Sequence, residues 1–144
     1  MPESGPLRLY SPMQVATGAF LGGPLAATHC LWSNFMALGK PRSAYWALNC
    51  GLAATAVIVA LAFLFASKQL NGLWVSFVVI FASALIAERY QLSKAAIRAS
   101  DSYAFQSNWK VLGLGLLWLA VTMLFITILV VLLLSAGIQV IDTG

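Results

Sequence analysis

Residues 9–39 read LYSPMQVATGAFLGGPLAATHCLWSNFMALG, with no charged side chain from end to end. Three more charge-free runs follow, at 43–67, 69–87 and 111–141. A helix needs roughly 20 apolar residues to cross a hydrocarbon core, and each run reaches or approaches that length. The charged residues lie between the runs: Glu3, Arg8, Lys40, Arg42, Lys68, Glu88, Arg89, Lys94, Arg98, Asp101, Lys110 and Asp142. They make up 8% of 144 residues, against 61% hydrophobic, whereas ordinary soluble domains carry about 25% charge. A soluble fold would need polar helices to cover four such runs, and the chain has none. The expected fold is therefore all-α: a polytopic membrane protein, a bundle of four transmembrane helices in one domain over 1–144.

The spans are expected at about 12–37, 44–66, 73–90 and 108–138. Ser11-Pro12 opens the first, with Ser as N-cap and Pro at the first helical position. Gly39-Lys40-Pro41-Arg42 closes it. The first run is too long for a signal-peptide core, and Glu3 mixed with Arg8 is not a basic leader, so it reads as a retained helix. Asn71-Gly72 is a turn pair between helices two and three. Ser107-Asn108 caps helix four. Between helices three and four, residues 88–107 hold much of the charge and no Gly or Pro. They predict a cytoplasmic helical extension with Arg89, Lys94 and Arg98 on a basic face. That face suits either a soluble partner or acidic head groups.

Four spans would put the loops after helices one and three on one side. Those loops hold Lys40, Arg42, Arg89, Lys94, Arg98 and Lys110, against Arg8 and Lys68 opposite. The positive-inside rule then predicts both termini outside, periplasmic in a Gram-negative cell. The net charge of +4 is accounted for by basic residues at helix ends and implies no nucleic-acid partner.

The first run carries the unusual residues. Gly18 and Gly22 form a GxxxG pair that Ala26 extends, a surface that admits close helix packing. Pro24 has no N–H for the carbonyl of Phe20, so Gly22-Gly23-Pro24 predicts a kink or break, a candidate hinge. His29, the only histidine, falls on the same small-residue face, and an intramembrane ionisable group is a candidate functional residue. Cys30 and Cys50 are the only cysteines. Their depths permit contact, but they carry no CxxC spacing and read as packed thiols. The chain has no Ser/His/Asp set, paired carboxylates, phosphate loop or metal-spaced cluster. No catalytic, cofactor or metal residue is expected, and the protein reads as no enzyme.

Tyr10-Ser11-Pro12 through Gln14, Phe20 to Ala26 as FLGGPLA, and Ala37-Leu38-Gly39-Lys40 form the pattern YSPxQ…FLGGPLA…ALGK. It resembles the amino-terminal helix of a group of small uncharacterised bacterial inner-membrane proteins. The run Asn108 to Gly115 is similar to the start of a later helix in that group. The resemblance implies a bacterial inner-membrane location and brings no catalytic residues. The expected function is non-enzymatic contact with another protein in the bilayer, as an accessory subunit of a membrane complex or as an immunity protein against a membrane-acting toxin. The alternative is a homo-oligomeric channel or carrier for a small solute. A redox role for Cys30 and Cys50 is a third class.

Overall fold

The computed structural model describes residues 5–64, 72–90, 94–99 and 101–137. Strand β1 (Leu7–Leu9) leads into α1 (Pro12–Ala37), α2 (Pro41–Leu64) and α3 (Gly72–Tyr90). A short α4 (Lys94–Arg98), strand β2 (Tyr103–Phe105) and α5 (Asn108–Ser135) complete the order. The helical class agrees with the sequence. Among the described residues, Pro41–Leu61 of α2 and all of α5 are long and apolar enough to cross a membrane.

The first helix is where the architecture departs from expectation. α1 does not run straight from 12 to 37, because Gly23 sits at φ 69, ψ −160. That region is open essentially to glycine alone. Pro24 follows, with no N–H to carry the helical ladder across the step. The helix therefore ends near Gly22, restarts at Pro24 and folds back along itself. Gly18 and Cys30 would be about 18 Å apart along a continuous helix. Here a Cβ on Gly18 would meet Cys30 Sγ at 3.4 Å. A Cβ on Gly22 would lie 2.7 Å from that of Ala26. The small-residue row is what lets the two arms, 12–22 and 24–37, approach this closely.

The open end of the hairpin is locked by Asn34. Its Oδ1 accepts from the Tyr10 N–H at 2.8 Å, and its Nδ2 donates to the Tyr10 carbonyl at 2.7 Å. Ser11 caps the first arm through a box: Gln14 N–H donates to Ser11 Oγ at 3.2 Å, and Ser11 N–H to Gln14 Oε1 at 3.0 Å. Gly39, at φ 67, makes the turn into α2. Both ends of α1 thus lie at one end of the molecule.

α2, α3 and α5 each pack on the hairpin. The fit of α2 is close enough that a Cβ on Gly51 would drive into Thr28, with Thr28 Cβ 2.7 Å away. α5 crosses the hairpin tip at Gly115, whose carbonyl would stand 2.6 Å from a Cβ on Gly22. A buried cluster of Tyr10, Val15, Cys30, Leu31, Ala87 and Val111 joins the hairpin mouth to α3 and α5. Burial pushes the Tyr10 phenol above its ordinary value, so it stays neutral there.

Residues 5–10, ahead of the first expected helix, are partly structured. β1 pairs parallel with β2, Leu7 beside Tyr103 and Leu9 beside Phe105. Leu7 N–H also reaches the Ser102 carbonyl at 3.0 Å, and Gln106 N–H the Leu9 carbonyl at 2.9 Å. Since β1 precedes α1 and β2 precedes α5, the first arm and α5 leave the strand pair in the same direction. The expected helical extension over 88–107 is not continuous: α3 ends at Tyr90, α4 is five residues long, and 103–105 is strand. The strand pairing claims the segment that local pattern alone assigns to helix.

Other boundaries shift less. α2 begins at Pro41, with proline in the first turn. α5 closes at Ala136, and Gly137 at φ 75 donates to the Leu134 carbonyl at 3.0 Å. Ser107 precedes α5 but makes no side-chain cap bond. Cys30 is buried, Cys50 exposed, and both are free thiols. The expected positions at Ala66, Lys68, Asn71 and Ile138 lie outside the described residues.

Candidate functional site

Two places near the hairpin gather polar side chains. The larger is a cleft of about 700 Å³ between the first arm, α4, β2 and the start of α5. Its rigid wall is Gln14, whose Nε2 donates to the Gln106 carbonyl and to Asn108 Oδ1, both at 2.7 Å. These bonds tie the first arm to the entrance of α5. Lys94 and Arg98, four residues apart on α4 and therefore on one face, also line it. Among the described residues that line the cleft none is acidic. Deeper along the helices the lining turns apolar at Leu21, Val111 and Leu112.

The smaller is a cavity of about 50 Å³ between the second arm, α2 and α5, lined by Thr28, His29, Trp32, Leu48 and Trp118 among others. The His29 ring lies 5.9 Å from that of Trp32 and 6.0 Å from that of Trp118. Both indole Nε1 atoms are buried without a hydrogen-bond partner among the described residues. Indole nitrogen is donor only, so two unmet donors stand beside one imidazole. The space exceeds the ~10–15 Å³ that a water requires.

The hairpin itself accounts for most of the residues the sequence singles out. Gly18 and Ala26 lie between the arms, Gly22 lies against Ala26 and Gly115, and Gly23-Pro24 forms the reversal. This surface is taken up within the chain, by the second arm and by α5. His29 is half-buried and turned toward Trp118 rather than into the interface between the arms. Of the basic face, Lys94 and Arg98 reach the cleft, while Arg89, at the end of α3, does not line it. Gln106, Trp32 and Trp118 have no motif around them that marks them, and the YSPxQ pattern around Gln14 does not show what its side chain holds. The partner of Gln14 lies 92 positions away, at Gln106.

Among the described residues no group of three His, Cys, Asp or Glu is placed to hold a metal. Comparison with protein families, curated proteins and solved structures finds no match for the chain.

Proposed function

We propose that the chain is a non-enzymatic bacterial inner-membrane protein that acts by contact with another membrane protein, as an accessory subunit or an immunity protein. In this reading α2, α3 and α5 cross the bilayer, and α1 enters it part way and returns. The arms are about 16 and 21 Å long at the α-helical rise, against a hydrocarbon core of about 30 Å. Arg8, Lys40, Arg42, Arg89, Lys94, Arg98 and Lys110 then fall on the side where the hairpin opens, and only Lys68 lies in the opposite connection. The positive-inside rule puts the hairpin mouth in the cytoplasm. Residues 5–10 are therefore cytoplasmic, not periplasmic, and the end of α5 is outside.

One observation carries the partner reading. Past Trp118, which packs against His29, α5 has no buried residue and turns most of its apolar side chains outward. Leu124 is 62% exposed and Val131 59%. The hairpin tip stops at this depth, so three spans continue without the element on which each packs. Helices associate in lipid through close packing and polar contact, and a partner helix would supply the missing surface. Photo-crosslinking groups at Leu124, Ile128 and Val131, tested in native membranes, should each give one discrete adduct with a second protein. A group at Trp109 should give none. Adducts with lipid alone would remove the reading.

The cavity at His29 favours a second reading, a homo-oligomeric channel or carrier for a small solute. Helix breaks at bilayer depth are tolerated where they are buried in protein or line a wet cavity, and the two unmet indole donors offer a polar solute its contacts. Flux in proteoliposomes that disappears with His29→Ala supports it; absence of flux in the unaltered protein rules it out.

A further inference from the structure

We propose that the cleft beside α4 is a binding site for an anionic glycerophospholipid, its phosphate held by Lys94 and Arg98 and an acyl chain laid along Leu21 and Leu112. The inference rests on the membrane placement above and is independent of the partner.

The lining is graded in chemistry. Toward the strand pair lie Lys94, Arg98 and the polar groups of Ser11, Gln106 and Asn108, with Met13 and Phe105 among them; past Thr17, toward the hairpin tip, lie Leu21, Val111 and Leu112. Among the described residues, neither the Lys94 nor the Arg98 side chain is engaged in an ion pair or hydrogen bond, and both are exposed. Two cations with no acid among the described lining residues make a seat for an anion. α5 starts at the same place, with Ser107 lining the cleft and leaving the first turn without a side-chain cap. The positive end of its dipole adds to the field of the two cations.

The apolar half decides what kind of anion fits. A free phosphate would use the cationic rim and leave Leu21 and Leu112 idle. A phospholipid uses both halves at once, because its charge and its chains are set apart along one molecule as the lining is. Depth agrees. Leu112 lies one turn inside α5 and Leu21 near the hairpin tip, so the chain would run into the bilayer while its phosphate stays at the head-group level. Basic pockets between membrane helices on the cytoplasmic side are known seats for anionic head groups. The volume lies within the range of small-molecule sites, about 300–1,000 Å³.

The test uses the full chain in nanodiscs or mild detergent, with phosphatidylglycerol, phosphatidylcholine and inorganic phosphate as probes, read by native mass spectrometry and by thermal midpoint. Phosphatidylglycerol should be retained and raise the midpoint; phosphatidylcholine should do neither. Lys94→Gln with Arg98→Gln should weaken phosphatidylglycerol about 30-fold, the effect of two surface cations at a membrane. Lys40→Gln with Arg42→Gln, outside the cleft, should leave it within about twofold. Leu112→Ser should weaken the lipid while leaving the cationic rim intact. Equal retention of both lipids, or phosphatidylglycerol binding untouched by the Lys94/Arg98 pair, overturns the site. Inorganic phosphate giving the same shift as the lipid overturns the lipid assignment in favour of a soluble anion. A protein that stays monodisperse without detergent refutes the membrane placement instead, so the two failures are told apart.

Discussion

Asn34 spends both halves of its amide on Tyr10, one on the N–H and one on the carbonyl. Both partners are buried, and a buried backbone group left bare costs roughly 1–3 kcal/mol. Asn34→Leu removes both bonds at once and should lower stability by roughly 2–4 kcal/mol on that basis. Gly23 is the second residue on which the hairpin depends. Nothing lies within 4 Å of where its Cβ would stand, so the loss on Gly23→Ala is one of backbone conformation alone, about 1–3 kcal/mol. Gly113 is the control: its Cβ position is equally empty, but it lies inside α5 with no positive φ. Gly113→Ala should therefore gain about 0.5–1 kcal/mol. Unfolding of the three variants in detergent, followed by circular dichroism against added denaturing surfactant, should rank Gly113→Ala above the unaltered protein and the other two below it. Equal stability of Gly23→Ala and Gly113→Ala would mean that the reversal at Gly23 is not what holds α1.

Among the elements, the long apolar helices are the most legible. α2 and α5 follow from uninterrupted apolar runs, each long enough to cross a hydrocarbon core. α1 is different. Gly22-Gly23-Pro24 announces a break in any reading, and the small-residue row announces close packing. Neither gives the angle of the break. A kink and a full reversal use the same three residues, and the choice is made by contacts between distant positions: Gly18 with Cys30, and Tyr10 with Asn34. The run 9–39 is long enough for a span, so its length points the wrong way. The strands were illegible for a related reason. Leu7–Leu9 and Tyr103–Phe105 are three residues each, too short for any periodicity, and each has its partner 96 positions away in the chain. The cleft is half legible. Lys94 and Arg98 are readable as one face of a helix, but the Gln14 wall follows only from the fold. His29 stands out by type, while its neighbours Trp32 and Trp118 do not, since aromatic residues near span ends already have a reason in the interface.

At the scale of the whole molecule, the hairpin changes how every later segment counts. A straight first helix moves Lys40 to the side opposite Arg8 and divides the basic residues six against two. With the proposed three spans, a hairpin keeps Arg8 and Lys40 together and leaves seven on one side and Lys68 on the other. The second division is the more asymmetric, so the positive-inside bias and the Tyr10–Asn34 contact support one orientation. That orientation is directly measurable with single cysteines in a Cys50→Ala background, where the buried Cys30 gives little reaction. Gly5→Cys, Lys40→Cys and Asp101→Cys should react with a membrane-impermeant maleimide only once the inner membrane is opened. Ala136→Cys, beyond the last turn of α5, should react in intact spheroplasts. Position 5 reacting from outside while position 40 reacts only from inside would mean that α1 crosses the bilayer after all. Both reacting from outside would keep the hairpin and invert the whole chain, and the cleft at Lys94 and Arg98 would then face away from the acidic lipids of the cytoplasmic leaflet.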